Sequence, residues 1–192
     1  VNLLTDTPPE SIVIDGKEYK INTDFRSCLR IMLAFEDNEL SSLEKQSVMI
    51  SNLYPVLPSD VKKAMEHGSW FLNAGKESDA DNDAPRVYSF SKDADMIFSA
   101  FRQIHKIDLA TTELHWWIFT ALFMAVLASQ DNPFGSLVSL RLRVKTGRAT
   151  KEEARAYREL GDMAEVPEID DRTLEEREAE AEFMRLIGVN KK

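Results

Sequence analysis

A chain of 192 residues, 43% hydrophobic and 30% charged, can bury a core unaided and is too rich in large apolar side chains for wholesale disorder. One folded domain is expected, and a net charge of −9 argues against broad binding to nucleic acid or anionic lipid. A single cysteine, Cys28, excludes an internal disulfide framework and a cysteine-built zinc site, and suits a reducing cytoplasm.

The opening VNLLTDTPPE has neither the basic nor the apolar region of an export signal. Residues 11–21, SIVIDGKEYKI, read as two short strands about Asp15-Gly16, where glycine accepts the positive φ of a tight hairpin turn. A helix then starts after Thr23 or Asp24, with Phe25, Cys28, Leu29, Met32 and Leu33 on one face. Cys28 sits in that stripe as a small core residue rather than a reactive thiol. Ser41 and Glu44 form a capping box for a second helix running to about Tyr54, with Leu43, Ile50, Leu53 and Tyr54 inward. A third helix starts near Ser59, buries Val61, Ala64, Met65, Phe71 and Leu72, and stops by Gly75.

Residues 76–86, KESDADNDAPR, are acidic and small and read as a mobile loop. The spacing of their acids lacks the central glycine and terminal glutamate of an EF-hand. After Ser91 a helix places Ile97, Phe101, Ile104 and Ile107 on one stripe, with Asp93 and Asp95 in its first turn, where the helix dipole favours negative charge.

LHWWIFTALFMAVLA, residues 114–128, has only His115 and Thr120 as polar members. It falls short of the roughly 20 apolar residues that span a bilayer and has no flanking cluster of lysine or arginine, so a membrane is rejected. A helix apolar all round belongs at the centre of a bundle, covered on most sides. Trp116 and Trp117 are read as core, and His115 as hydrogen-bonded to backbone or water at the bundle's rim.

Beyond Pro133, Leu137, Val138, Leu140 and Val144 mark another helix. A capping box at Thr150 and Glu153 opens the next, with Ala154, Tyr157 and Leu160 inward. A third box, Thr173 and Glu176, opens a terminal helix whose apolar edge, Ala179, Phe183, Leu186 and Ile187, ends at Gly188. No internal repeat is present. The predicted fold is mostly α: a helical bundle around a central apolar helix over about 112–129, with an N-terminal β-hairpin over about 11–21. The helical domain covers 1–165, and an acidic C-terminal helix over 166–192 either docks or projects.

No catalytic constellation is legible. His67, His105 and His115 belong to no metal or triad motif, and there is no nucleophile elbow or dinucleotide loop. Gly75-Lys76 ends like a phosphate loop, but Trp70 and Glu77 stand where glycine and Ser or Thr are required. The basic run RLRVKTGRATKEEARAYR could follow phosphates, yet it lies in an acidic chain without a recognised nucleic-acid-binding motif. A non-enzymatic protein without cofactor or metal is expected.

The segments NLLTD, IDGKEYKINTDFR, WFLNAGK, FSKDADMIFSAFRQIHKIDL and LHWWIFTALF, in that order, resemble the bacteriophage "gene product fifteen" family of tailed phages and prophages of Gram-positive bacteria. The likeness spans nearly the whole chain and weakens after Asp131, where LVSLRLRV replaces a segment leading to a tyrosine-arginine pair. The resemblance implies tail morphogenesis, because family members are encoded between the major tail protein and the tape measure. A tail assembly chaperone in the host bacterial cytoplasm is the implied role, with the tape-measure protein as client and a frameshift-related tail assembly protein as a further partner. The alternative is a minor tail protein retained in the virion. The family supplies no catalytic residues.

A holding chaperone needs solubility, an apolar edge and a way to array along a fibre. Candidate apolar edges are Phe183, Met184, Leu186 and Ile187, or a bare face on the helix from Leu114. From Glu165 to Ile187 nine acids face three arginines, whereas Arg141 to Arg158 holds seven bases against two acids. Arg141, Arg143 and Arg148 of one copy, set against the acidic tail of the next, would give a salt-sensitive homo-oligomer.

Overall fold

Asp15 and Gly16 both take positive φ, 51° and 76°, the turn geometry that matches the twist of two antiparallel strands. The computed structural model describes residues 1–77 and 84–169, and in it this turn joins β1 (Ser11–Ile14) to β2 (Lys17–Lys20). Ile12 stands opposite Tyr19 and Ile14 opposite Lys17. Alternation does the rest: Ile12, Ile14 and Tyr19 are buried while Val13 faces solvent.

Seven helices follow among the described residues: α1 (Phe25–Glu36), α2 (Ser42–Leu53), α3 (Val61–Leu72), α4 (Ala94–His105), α5 (Trp116–Ala128), α6 (Pro133–Lys145) and α7 (Lys151–Leu160). A single 3-10 turn, Gly161–Met163, closes the series. The fold is mostly α with a small N-terminal hairpin, as the hydrophobic periodicity predicts. Both expected capping boxes within the described residues form, Ser41 with Glu44 and Thr150 with Glu153. Asp24, Asp60 and Asn132 cap α1, α3 and α6 by accepting from the backbone N–H of Arg26, Lys63 and Gly135. The third box, Thr173 with Glu176, and the terminal helix lie outside the described residues, as does the centre of the acidic loop, 78–83.

Several faces are rotated from those expected. On α1 the buried side is Phe25, Cys28, Ile31 and Ala34, and Leu33 is exposed, because the helix is sandwiched between α2 and α5. On α2 the inward residues are Lys45, Met49 and Leu53, and Leu43 is 74% exposed. Lys45 is buried because its ammonium donates to the carbonyl of Phe35 in the last turn of α1. Val61 is exposed at the start of α3, α4 ends at His105 before Ile107, and α7 buries none of its residues, leaving Leu160 in solvent. Ile107, past the end of α4, still packs against the core, and periodicity alone does not show which apolar positions a neighbour covers.

The core centres on Phe119 of α5, which is fully buried. Its ring stacks on Phe25 and on Phe101, each at 5.0 Å between centroids, and on Trp116 at 5.5 Å. Phe123, one turn on, meets Phe90 at 5.2 Å and Phe134 at 6.2 Å. One helix thereby joins α1, α4, α6 and the segment before α4.

At the end of α3, Ala74 and Gly75 take positive φ, and a Cβ on Gly75 would lie 2.8 Å from Cη2 of Trp117. Gly75→Ala is expected to destabilise the protein by about 1–3 kcal/mol, read as a lower midpoint in denaturant unfolding. An unchanged midpoint would show that Trp117 yields at no cost.

Candidate partner-binding surface

His115 is the N-cap of α5. Its Nδ1 accepts from the backbone N–H of Trp117 at 3.0 Å, and its Nε2 lies 3.1 Å from the carbonyl oxygen of Pro9. The pair of bonds selects the tautomer that carries its proton on Nε2. The ring is thus a rim histidine bonded to backbone, as the sequence suggested, and it ties the segment before β1 to α5. Burial pushes its pKa below the ordinary 6.5, against smaller opposing effects of the Pro9 carbonyl and Glu10.

The next two residues work as a pair. Trp116 donates its indole N–H to the carbonyl of Leu72, and Trp117 donates to that of Phe71, each at 2.8 Å. Both acceptors are in the last turn of α3, where the carbonyl of Phe71 also accepts from the backbone N–H of Ala74 just past the helix. Both tryptophans are buried, and the half-exposed indole is instead Trp70, edge-on to Trp117 at 5.4 Å.

This anchoring buries the side of α5 that carries Trp116, Phe119, Phe123 and Val126. The opposite side is bare, contrary to the expectation of cover on most sides. Ile118 is 40% and Met124 57% exposed, and Ala121, Ala125 and Ala128 also face solvent. The available neighbours cover one side only, and a helix with no polar side carries no mark of which flank lacks a neighbour. Beside Met124 and Ala121 lies a groove of about 370 Å³ whose walls include Val1, Leu3, Met32 and Tyr88. A surface that is apolar at helical spacing and recessed along one edge is suited to another apolar helix.

The nominated arginines do not form a common patch. Arg141 is completely buried: its guanidinium makes a two-pronged pair with Asp93, at 2.7 and 3.0 Å, and donates to the carbonyls of Val87, Met163 and Ala164. It is a clamp and is unavailable to a partner. The clue was present in the spacing, because Phe134, Leu137, Val138 and Arg141 continue one inward stripe. Arg143 is partly buried and pairs with Glu153 at 2.8 Å, whereas Arg148 is exposed after α6. Phe183, Met184, Leu186 and Ile187 lie outside the described residues.

A second clamp flanks the first. Glu36 accepts from the hydroxyl of Ser89 and the N–H groups of Phe90 and Ser91, and pairs with Arg86. Arg86 also donates to the carbonyl of Pro167, so the downstream end of the acidic loop is fastened to the body.

Of the other histidines, His105 Nε2 lies 3.0 Å from the Leu122 carbonyl, and His67 is exposed on α3. Cys28 is fully buried, and burial, with a smaller effect of Asp24, pushes its thiol up to about 12, as fits a core residue. Among the described residues no group of three His, Cys, Asp or Glu is placed to hold a metal, and no helix is long and apolar enough to cross a membrane.

A family model described as Bacteriophage Gp15 protein matches residues 4–165, and the chain belongs to that family. No curated protein and no solved structure matches it.

Two outcomes test the anchoring. Arg141→Met strands the Asp93 carboxylate in the core and should cost about 3–5 kcal/mol in denaturant unfolding, with faster amide exchange over 161–168. Arg141→Lys, lacking the planar fork, should recover little of it. For His115 the depressed folded pKa means that its contribution is complete above pH 6.5 and declines as pH falls through the window down to the folded value, where the unfolded chain takes up a proton that the folded ring resists. His115→Asn keeps a capping acceptor and should flatten stability against pH across that window; an unaltered slope would assign it to other groups.

Proposed function

We propose that this chain is a non-catalytic tail assembly chaperone that holds an apolar helical segment of the tape-measure protein against the open side of α5. The observation that carries the reading is the bare stripe Ile118, Ala121, Met124, Ala125 and Ala128 on a helix whose core-facing side is already complete. Exposed apolar surface at helical spacing costs solubility unless it meets a partner. The net charge of −9 offsets that cost and keeps the free protein dispersed in the host cytoplasm. The client enters through family membership: members of this phage family are encoded beside the tape measure, a long helix-rich chain whose apolar faces need cover before the tube encloses them. Release at that stage calls for modest affinity, which suits a shallow stripe of alanines flanked by Ile118 and Met124.

Co-expression with a tape-measure fragment is the direct test. The wild-type chain should keep the fragment soluble, and the double variant Ala121→Glu, Met124→Glu, changed only at exposed positions, should lose at least about tenfold in captured fragment, about 1.4 kcal/mol, at unchanged melting temperature. A fragment that stays insoluble beside the wild-type chain would end the chaperone reading. Stoichiometric recovery of the protein from purified particles by mass spectrometry would favour the minor tail protein instead.

A further inference from the structure

The hairpin leaves one strand edge open. Its two-residue turn makes Ile14 and Lys17 a hydrogen-bonded pair, and Ile21, donating to the Glu10 carbonyl at 3.0 Å, keeps the same alternation at the far end. The N–H and C=O groups of Ser11 and Val13 therefore point away from β2, toward the outer edge of β1. Proteins commonly guard such an edge with charge. β2 carries Lys17, Glu18 and Lys20, whereas β1 has no charged residue.

A groove borders this edge. It measures about 510 Å³ and is lined by Ser11, Ile12 and Val13 from the strand and by Glu66, His67 and Trp70 from α3. Val13 is 59% and Trp70 37% exposed. β1 and α3 run side by side in opposite senses. Asp15, just past β1, accepts from Lys63 near the start of α3. Pro9, ahead of β1, is bonded to His115, whose ring meets Trp117, and Trp117 in turn meets Trp70 in the last turn of the helix.

A strand edge beside a helix is a setting in which an extended segment can add to a sheet, because ladder bonds hold its backbone while the helix sorts its side chains. The spacings agree. Glu66 and Trp70, four residues apart on α3, are separated by about 6 Å along the helix axis, and alternate residues of a strand by about 6.6 Å. An added strand would set one side chain against Glu66 and the next but one against Trp70. Glu66 makes no ion pair among the described residues, and Lys63, one turn earlier, is taken by Asp15 and Asp60. The first position thus favours a cation and the second an apolar group. A second copy of the chain fits poorly, since its β1 brings no cation to Glu66 and two bodies of net charge −9 repel.

We infer that the outer edge of β1 takes up an extended segment of a partner protein as an added strand, with a cationic and an apolar side chain two residues apart set against Glu66 and Trp70. This surface reads an extended backbone, where the stripe on α5 suits a helix. The inference stands whether or not α5 holds the tape measure.

Amide NMR on the isotope-labelled full-length protein tests it. The probe is a blocked heptapeptide of threonine with lysine at its second and sixth positions and valine at its fourth, which presents the pair in either strand direction. Binding should shift the amides of Ser11 and Val13 and the indole N–H of Trp70. Of the two forms of the peptide methylated on alternate backbone nitrogens, one should bind at least about tenfold more weakly and the other little changed, because only one set of N–H groups faces β1. Val13→Pro removes an outward donor, leaves the bonds to β2 in place and should weaken binding by a similar factor while the amides of α4 and α5 keep their shifts. No shift at about 5 mM peptide would overturn the inference, and so would equal affinity for the two methylated forms. Shifts confined to the α5 stripe would overturn it as well. A doubled mass in sedimentation, with Ser11 and Val13 protected from exchange in the free protein, would do the same by assigning the edge to a second copy.

Discussion

The indole bonds from Trp116 and Trp117 to the last carbonyls of α3 set the geometry on which much of the molecule depends. The carbonyls at the end of a helix can take further donors, and a buried indole must find an acceptor; here the two indoles reach the carbonyls of Leu72 and Phe71. The joint holds the start of α5 against the end of α3 and so fixes the rotation of α5. From that rotation it follows that Phe119 points into the aromatic stack and that Ile118 and Met124 point out.

Two polar clamps tie further segments to the body. Arg141 and Asp93 tie α6 to the start of α4 and to the strap at 163–166, and Glu36 ties the end of α1 to the segment that enters α4. A buried ion pair adds little net stability over an apolar pair of the same shape, but its geometry admits one arrangement. It is therefore a device for register. The strap carries few apolar contacts beyond Ala164 and Val166, and directed hydrogen bonds hold it where burial alone would be weak.

Legibility in the sequence followed the range of each interaction. Local signals were plain: the Asp15-Gly16 turn, the Ser41 and Thr150 boxes and the buried spacing of Ile97 and Phe101 all need only neighbours within a few residues. The bonds of Lys45 to Phe35 and of Arg141 to Asp93 were hidden because charge type argues for the surface, and only the partner's position reverses that argument. Leu43, Val61 and Leu160 failed for a related reason. Each is apolar on a plausible stripe, yet is left exposed, and whether a neighbour covers a stripe is set by packing distant in sequence. For the candidate site, the apolarity of α5 was evident from its residues, but which flank stays bare depends on neighbours distant in sequence.

Two apolar surfaces on one acidic protein need not share a purpose, and their settings differ in a way that matters energetically. The recess between α2 and α3 is walled by two helices, and Ser47, Ser51 and Tyr54 beside it already donate to carbonyls within the protein. The stripe on α5 lies on a helix whose other side is packed into the aromatic core, so a partner could bury it without rearranging that core. On the chaperone reading proposed above, alanines between Ile118 and Met124 suit a chain that must later be surrendered, because small side chains limit the apolar area buried.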